Sequence, residues 1–203
     1  MTISNYWADN LQAGQSGIHL FDEFALRARE AMAEVHRVAS ADEIRTLLLH
    51  LIEEVQARHV VAVPCPLQDC LRIYQAIEER GIPVYYTQAD IAEHAPTADI
   101  GMSSVAFGIA ETGSICQDAT MVESRLVSTL PPVHVAFLHN SHILPGITEA
   151  MDVLAETFHQ GYLSFITGPS RTADIERVLT IGVHGPSRLI IVAIDDTCYG
   201  GTA

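Results

Sequence analysis

The 203-residue chain is 48% hydrophobic, which allows one domain of ordinary size with a substantial core and excludes a disordered protein. All 11 basic residues are arginine, which excludes chemistry that needs a lysine amine and also a nucleotide-binding P-loop. The formal net charge is −14 and arginine is not clustered, so we expect no nucleic-acid partner. Because no apolar run is long enough for a membrane span and the first residues lack the blocks of a signal peptide, we expect a cytoplasmic protein.

Cysteine spacing argues against a metal or iron–sulfur centre in this chain. The four cysteines are Cys65, Cys70, Cys116 and Cys198, and none forms a CxxC pair. We therefore expect no metal site and no cofactor held by this chain itself.

The N-terminal part of the chain is predicted to form an arm followed by two helices. Residues 1–17 are polar and contain glycine, whereas residues 21–38 and 41–57 have helical character. The sequence thus predicts an arm and helical extension over residues 1–57, followed by an α/β domain over residues 58–203.

In the second part of the chain, short apolar stretches typical of strands alternate with helical stretches. Predicted strands cover residues 59–64, 82–87, 99–103, 114–117, 133–138, 163–166 and 189–194, and predicted helices cover residues 67–80 and 147–159. This alternation predicts a single α/β domain with a mostly parallel sheet flanked by helices. Ligands of such sheets bind at the carboxyl ends of the strands. We expect four loops to meet there, following Pro64, Ser103, Leu138 and Ile166.

The stretch over residues 167–186 has the composition of an anion-binding site. Its first loop contains four candidate ligand-binding residues, Gly168, Ser170, Arg171 and Thr172. A helix is predicted to follow over residues 173–179, and a helix start offers backbone N–H groups to an anion. The guanidinium of Arg171 suits a carboxylate or phosphate, which it can bind with two hydrogen bonds.

Alternatives stay open for the charged groups of this stretch. Arg171 could instead form a structural ion pair with Asp174 or Glu176. His184 lies in a turn before a Gly-Pro pair, where an imidazole can act as acid–base catalyst or orient a ligand carboxylate. The same imidazole could equally hydrogen-bond within its own loop.

A second candidate loop contains Glu111, the only acidic residue between residues 101 and 117. A carboxylate in apolar surroundings suits nucleophilic or acid–base catalysis, and Thr112 and Gly113 beside it suit ligand binding. The alternative is structural: Glu111 would cap a helix N-terminus or pair with Arg125.

Three segments resemble the LUD domain of the lactate-utilisation protein C (LutC) family. They are GIAETGSI (residues 108–115), SRLVSTLPPVHVAF (residues 124–137) and FITGPSRTADIERVLTIGVHGP (residues 165–186). The resemblance covers most of residues 20–195 and implies a fold of the NagB/RpiA/CoA-transferase-like kind. It also implies a role in the oxidation of L-lactate to pyruvate together with partner proteins that carry iron–sulfur clusters.

A weaker similarity links the Glu111 turn to class I CoA-transferases. Their Ser-Glu-Asn-Gly turn carries a nucleophilic glutamate, and Ala110-Glu111-Thr112-Gly113 matches it at the glutamate and the glycine. The similarity implies a nucleophilic role for Glu111, while the two departures leave a covalent step open.

Three functional hypotheses follow. The first is an accessory subunit of L-lactate oxidation that binds a small carboxylate or phosphate-bearing ligand through both loops and acts with iron–sulfur subunits. The second is a CoA-transferase-like or related enzyme that uses Glu111. The third is an interaction protein that docks through its N-terminal helices, and a homo-oligomer is compatible with all three.

Overall fold

A six-stranded parallel sheet forms the centre of the protein. The structure, a computed structural model, describes residues 16–65, 72–157, 161–173, 179–182 and 184–195, together with Leu11 and Cys198. In spatial order the strands are β1 (Glu34–Val38), β12 (Arg188–Ile194), β7 (Val133–His139), β4 (Ile100–Ser104), β2 (Val60–Ala62) and β3 (Val84–Tyr85), and every pairing is parallel. The predicted α/β class with a mostly parallel sheet is confirmed.

Helices cover both faces of this sheet, as buried parallel strands require. They are α1 (Phe21–Glu30), α2 (Ala41–Glu54), α3 (Ile73–Glu78), α4 (Gln88–His94), α5 (Val122–Thr129) and α6 (Ile147–Thr157). On one face, α2 and α3 bury Leu48 and Ile77 against strand residues such as Val135. On the opposite face, α1 packs Phe24 against the sheet. No helix among the described residues is long and apolar enough to cross a membrane.

The predicted helix over residues 21–38 is wrong in its second half. The helix α1 ends at Glu30, Met32 has a left-handed backbone with φ of 71°, and the chain then forms strand β1. Val35 and Val38 are buried there, so β-branched side chains pack on the sheet instead of continuing a helix. Strand β1 pairs with β12, and the predicted N-terminal extension therefore contributes an edge strand to the sheet. The domain division at residue 57 stays a prediction.

A second, four-stranded sheet contains strands that the sequence analysis placed in the parallel sheet. Its order is β8 (Ile143–Leu144), β5 (Phe107–Ile109), β6 (Ser114–Asp118) and β9 (Leu163–Ile166). The strands β5 and β6 are antiparallel because a four-residue turn joins them, too short for a parallel crossover. Helix α6 covers the outer face through Ala150 and Val153, while the other face meets α1.

The helix predicted over residues 173–179 is also wrong at both ends. Arg171–Ala173 forms strand β10 and Leu179–Ile181 forms strand β11, and the two pair in an antiparallel register. Thr172 lies opposite Thr180, and β-branched residues favour such paired strands over a helix. Residues 174–178 lie outside the described part of the chain.

Candidate functional site

Both candidate loops contact the backbone of helix α1. Gly113 has φ of +65°, and a Cβ added there would lie 2.1 Å from the Ala28 nitrogen. Gly168 has φ of +71°, and its Cβ would lie 1.9 Å from the Ala31 carbonyl oxygen. Only glycine combines a left-handed backbone with such close approach. A structural requirement therefore explains both glycines, and their role in ligand binding stays a prediction.

A chain of hydroxyl groups joins the two loops. The Thr112 hydroxyl donates to Ser114 Oγ over 2.8 Å, and Ser114 Oγ is 2.7 Å from Thr167 Oγ1. The loops that the sequence singled out separately therefore meet at Ser114 and Thr167. Neither residue was selected from the sequence, although both lie inside the two motifs.

Arg171 lies in strand β10 and not at a helix start. Its guanidinium is exposed, and its one described polar contact is a weak one of 3.9 Å to Met32 Sδ, beyond the end of α1. No carboxylate of the described residues pairs with it, while Asp174 and Glu176 lie outside them. The helix start predicted at Ala173 is instead the end of strand β10, and among the described residues no carboxylate neutralises the guanidinium.

The His184 loop is attached to Ser170. The Ser170 N–H donates to the Pro186 carbonyl over 2.9 Å, and the Gly182 N–H donates to the Ser170 carbonyl over 2.9 Å. Gly185 also lies against Ser170, since a Cβ on Gly185 would be 3.2 Å from the Ser170 Cβ. Exposed His184 therefore lies in a loop that is bonded to the residue preceding Arg171. For Thr172 the described structure is limited to the backbone.

Glu111 occupies a structural position at the start of helix α6. Its Oε2 accepts a hydrogen bond of 3.0 Å from the Ile147 N–H, and the side chain is exposed. The apolar surroundings expected for it are therefore absent from its described neighbourhood. Arg125 is not its partner, because Arg125 donates to the carbonyls of Ala119 and Thr120. No described hydrogen bond links Glu111 to Arg171 or His184.

Glu111→Ala is expected to lower the free energy of unfolding by about 1 kcal/mol, the usual effect of removing a helix cap. Glu111→Gln should cost less, because its amide oxygen can still accept the hydrogen bond. Glu93→Ala is the matched control: Glu93 is exposed on α4 and has no described hydrogen bond, so the change should stay within about 0.5 kcal/mol. Urea unfolding measures all three, and equal losses for the two alanine variants would contradict the capping role.

A charged cluster closes the carboxyl end of the large sheet. Arg37 Nε lies 3.1 Å from each carboxylate oxygen of Asp195, and Asn140 Nδ2 donates to the same carboxylate over 2.6 Å. Burial raises the pKa of Asp195, but the hydrogen bonds from Arg37 and Asn140 outweigh it and hold the pKa below its ordinary value. The cluster ties together the ends of β1, β12 and β7. The expected convergence of four loops at this edge is wrong for the loop after Ile166, which leaves the second sheet.

A buried polar cluster was not found from the sequence. His134 is fully buried, its Nε2 lies 2.9 Å from Ser103 Oγ, and Gln117 Nε2 donates to the same oxygen over 3.0 Å. Ser103 Oγ thus contacts both Gln117 and His134, whereas His134 Nδ1 is buried and has no hydrogen-bond partner among the described residues. Burial lowers the pKa of His134 to about 4. Among the described residues, no group of three or more His, Cys, Asp or Glu side chains has the geometry of a metal site.

These features define a class: a single α/β domain whose parallel sheet carries a second sheet, with two glycine-containing loops against the first helix. The LUD domain family model matches residues 21–194, and the chain belongs to that family.

Several relatives of this chain have names that refer to lactate utilisation. The chain is 27% identical to the lactate utilization protein C of Halalkalibacterium halodurans over 88% of this chain and 82% of that protein. It is 33% identical to the lactate utilization protein C of Bacillus subtilis over 57% of this chain, an alignment that spans about half (52%) of that protein. The crystal structure of a DUF162 family protein from Deinococcus radiodurans has a TM-score of 0.60 at 20% identity, covering 87% of this chain and 96% of that one, which indicates a shared fold.

Proposed function

We propose that this chain is a cytoplasmic accessory subunit of lactate utilisation that binds a small anionic ligand and acts with iron–sulfur partner proteins in the oxidation of L-lactate to pyruvate. The role in lactate utilisation is inferred from relatives named lactate utilization protein C. The iron–sulfur clusters would reside on the partners.

The observation that carries ligand binding is the Arg171 guanidinium. The chain has 25 acidic residues against 11 arginines, and other arginines such as Arg37, Arg80 and Arg188 pair with carboxylates. Arg171 is exposed and pairs with no carboxylate of the described residues. A carboxylate or phosphate group would supply the missing anion, and two parallel hydrogen bonds would fix its orientation.

The neighbours of Arg171 suit the same ligand. Ser170 holds the His184 loop through backbone hydrogen bonds, so an imidazole lies in the adjacent loop. In this proposal Arg171 neutralises the anion, Ser170 and Thr172 add hydrogen bonds, and His184 orients the ligand. At the junction of the two loops, hydrogen bonds through buried Ser114 connect Thr167 to Thr112.

Calorimetric titration with L-lactate, pyruvate and coenzyme A tests the proposal. We expect heat with at least one of them and binding about tenfold weaker in Arg171→Gln, because a charge-assisted hydrogen-bond pair contributes about 1.5–3 kcal/mol. Arg45→Gln is the control, since half-buried Arg45 contacts Asp42 and the Ala41 carbonyl within its own helix, and it should bind like the wild type. No heat from any ligand, or equal weakening in both variants, would contradict binding at Arg171.

The Glu111 alternative has a separate test. If the chain is itself a transferase, Glu111→Gln should abolish turnover of an acyl-CoA and carboxylate pair while the fold stays intact. The capping contact with Ile147 makes the stability of this variant a necessary control. Unchanged turnover in a folded Glu111→Gln protein eliminates the nucleophilic role.

Docking through the N-terminal helices needs point substitutions for its test. A deletion of residues 1–57 would remove strand β1 from the sheet along with the helices. Leu26, an exposed apolar side chain on α1, is the better position to change when assembly with an iron–sulfur subunit is measured.

A further inference from the structure

Strand β9 is an edge of the second sheet without the charges, proline or bulge that normally prevent edge pairing. Proteins protect such edges with charged side chains, proline, bulges or very short strands. Edge strand β1 has Glu34, His36 and Arg37, and β3 and β8 have two residues each. Strand β9 has four residues, Leu-Ser-Phe-Ile, with no charge and no proline, and β6 is its one strand neighbour.

The outward backbone groups of β9 are identified by its pairing with β6. The Ala119 N–H donates to the Tyr162 carbonyl, so the backbone groups of Tyr162, Ser164 and Ile166 point toward β6. By alternation, the N–H and C=O groups of Leu163 and Phe165 point outward. No described residue forms a hydrogen bond with these outward groups.

Exposed aromatic side chains accompany this edge. Tyr162 is 66% exposed and Phe165 is 43% exposed, and they lie on opposite faces of the strand because they are three positions apart. Two such side chains beside four unpaired backbone groups fit a further strand.

The edge is complementary to itself. If two copies pair antiparallel about Ser164, Leu163 of one lies opposite Phe165 of the other, and the outward groups form four hydrogen bonds. In this register each Phe165 meets a leucine. Each Tyr162, whose ring already carries the Arg125 guanidinium at 5.0 Å, lies opposite Ile166. No charged residue lies between positions 162 and 166, so two copies with net charge −14 meet without like charges directly opposed.

We propose that β9 is the interface of a two-fold symmetric dimer in which the second sheet continues from one copy into the other. The dimer contains an eight-stranded sheet with Ser164 facing its own copy at the axis. The argument for this dimer does not rest on the ligand site proposed at Arg171.

Analytical ultracentrifugation of the full chain tests the dimer. We expect twice the 22.1 kDa mass of one chain for the wild type. Phe165→Lys places a charge on the apolar interface and should raise the dimer dissociation constant at least tenfold. Leu26→Lys is the control, because Leu26 is 55% exposed on α1 and should leave the dimer intact. Thermal melts verify that both variants fold. A monomeric wild type, or a dimer unaffected by a folded Phe165→Lys, overturns the proposal.

A disulfide reports on the register itself. At a non-hydrogen-bonded antiparallel pair the Cα atoms are about 4.5 Å apart, within the range that a disulfide spans. Ser164→Cys should therefore form a covalent dimer under mild oxidation. Ser187→Cys, at an exposed serine away from β9, is the control and should cross-link far less. Equal cross-linking of the two variants contradicts pairing about Ser164.

Discussion

Gly168→Ala is expected to destabilise the fold by about 3 kcal/mol, through two effects that add. The backbone there has φ of +71°, which strains any residue with a Cβ. The new methyl group would also lie 1.9 Å from the Ala31 carbonyl oxygen. That oxygen belongs to the backbone at the end of α1, so relief requires the helix or the loop to move. Urea unfolding measures the loss.

Two other glycines separate the effects. Gly81 has φ of +79° with nothing within 4 Å of an added Cβ, so Gly81→Ala should cost about 1 kcal/mol from strain alone. Gly101 has an added Cβ 2.0 Å from the Val127 carbonyl oxygen, and Gly101→Ala should cost about 2 kcal/mol from overpacking alone. If Gly168→Ala costs no more than Gly81→Ala, the close packing of this loop on α1 is wrong.

The same glycines explain what the sequence could predict about the site. Their pattern correctly marked two loops where a backbone must approach something closely. A glycine does not specify what approaches it, and at Gly113 and Gly168 it is α1. The predicted apolar setting of Glu111 was wrong for a related reason. Apolar neighbours in sequence alternate between faces, whereas the Glu111 side chain turns outward to the N–H of Ile147.

Strands were predicted best where apolar residues run continuously. The strand over residues 163–166 has the same bounds in sequence and structure, and the core strand Val133–His139 differs by one residue. Sheet membership depends on long-range pairing, so nothing local assigned β9 to a second sheet. Glu34–Val38 carries charges between its valines. For this reason the sequence predicted that the helix continues here, where the structure has an edge strand.

Buried polar pairs are the least accessible to sequence reasoning, since Ser103, Gln117 and His134 lie on three separate strands. None of them has a neighbour in sequence that indicates the cluster. The contact exists because β4 and β7 pair in the large sheet and β6 of the second sheet packs near them. We nevertheless expect its buried histidine to contribute to the response of the protein to acid.

Acid is expected to remove about 3 kcal/mol of stability through His134. Its pKa is about 4 in the folded protein against an ordinary value of 6.5, so only the unfolded chain takes up a proton between these values. Stability is therefore complete above pH 6.5 and falls by about 1.4 kcal/mol per pH unit as the pH drops toward 4. The physical cause is burial, which disfavours the charged imidazolium in the fully buried site.

The test measures the slope of the free energy of unfolding against pH and compares it between the wild type and its variants. A comparison is needed because carboxylates such as Asp195 add their own pH dependence at the acid end. His134→Gln removes the titrating group. Between pH 6.5 and 4 its slope should therefore be smaller than that of the wild type by the contribution of one proton, about 1.4 kcal/mol per pH unit. His184→Gln is the matched control, because it makes the same substitution at an exposed histidine outside the buried cluster. The readout is the slope, so a general loss of stability in His134→Gln does not obscure the result. Identical slopes for wild type and His134→Gln would mean that His134 reaches water or a proton acceptor in the folded protein, contrary to its complete burial.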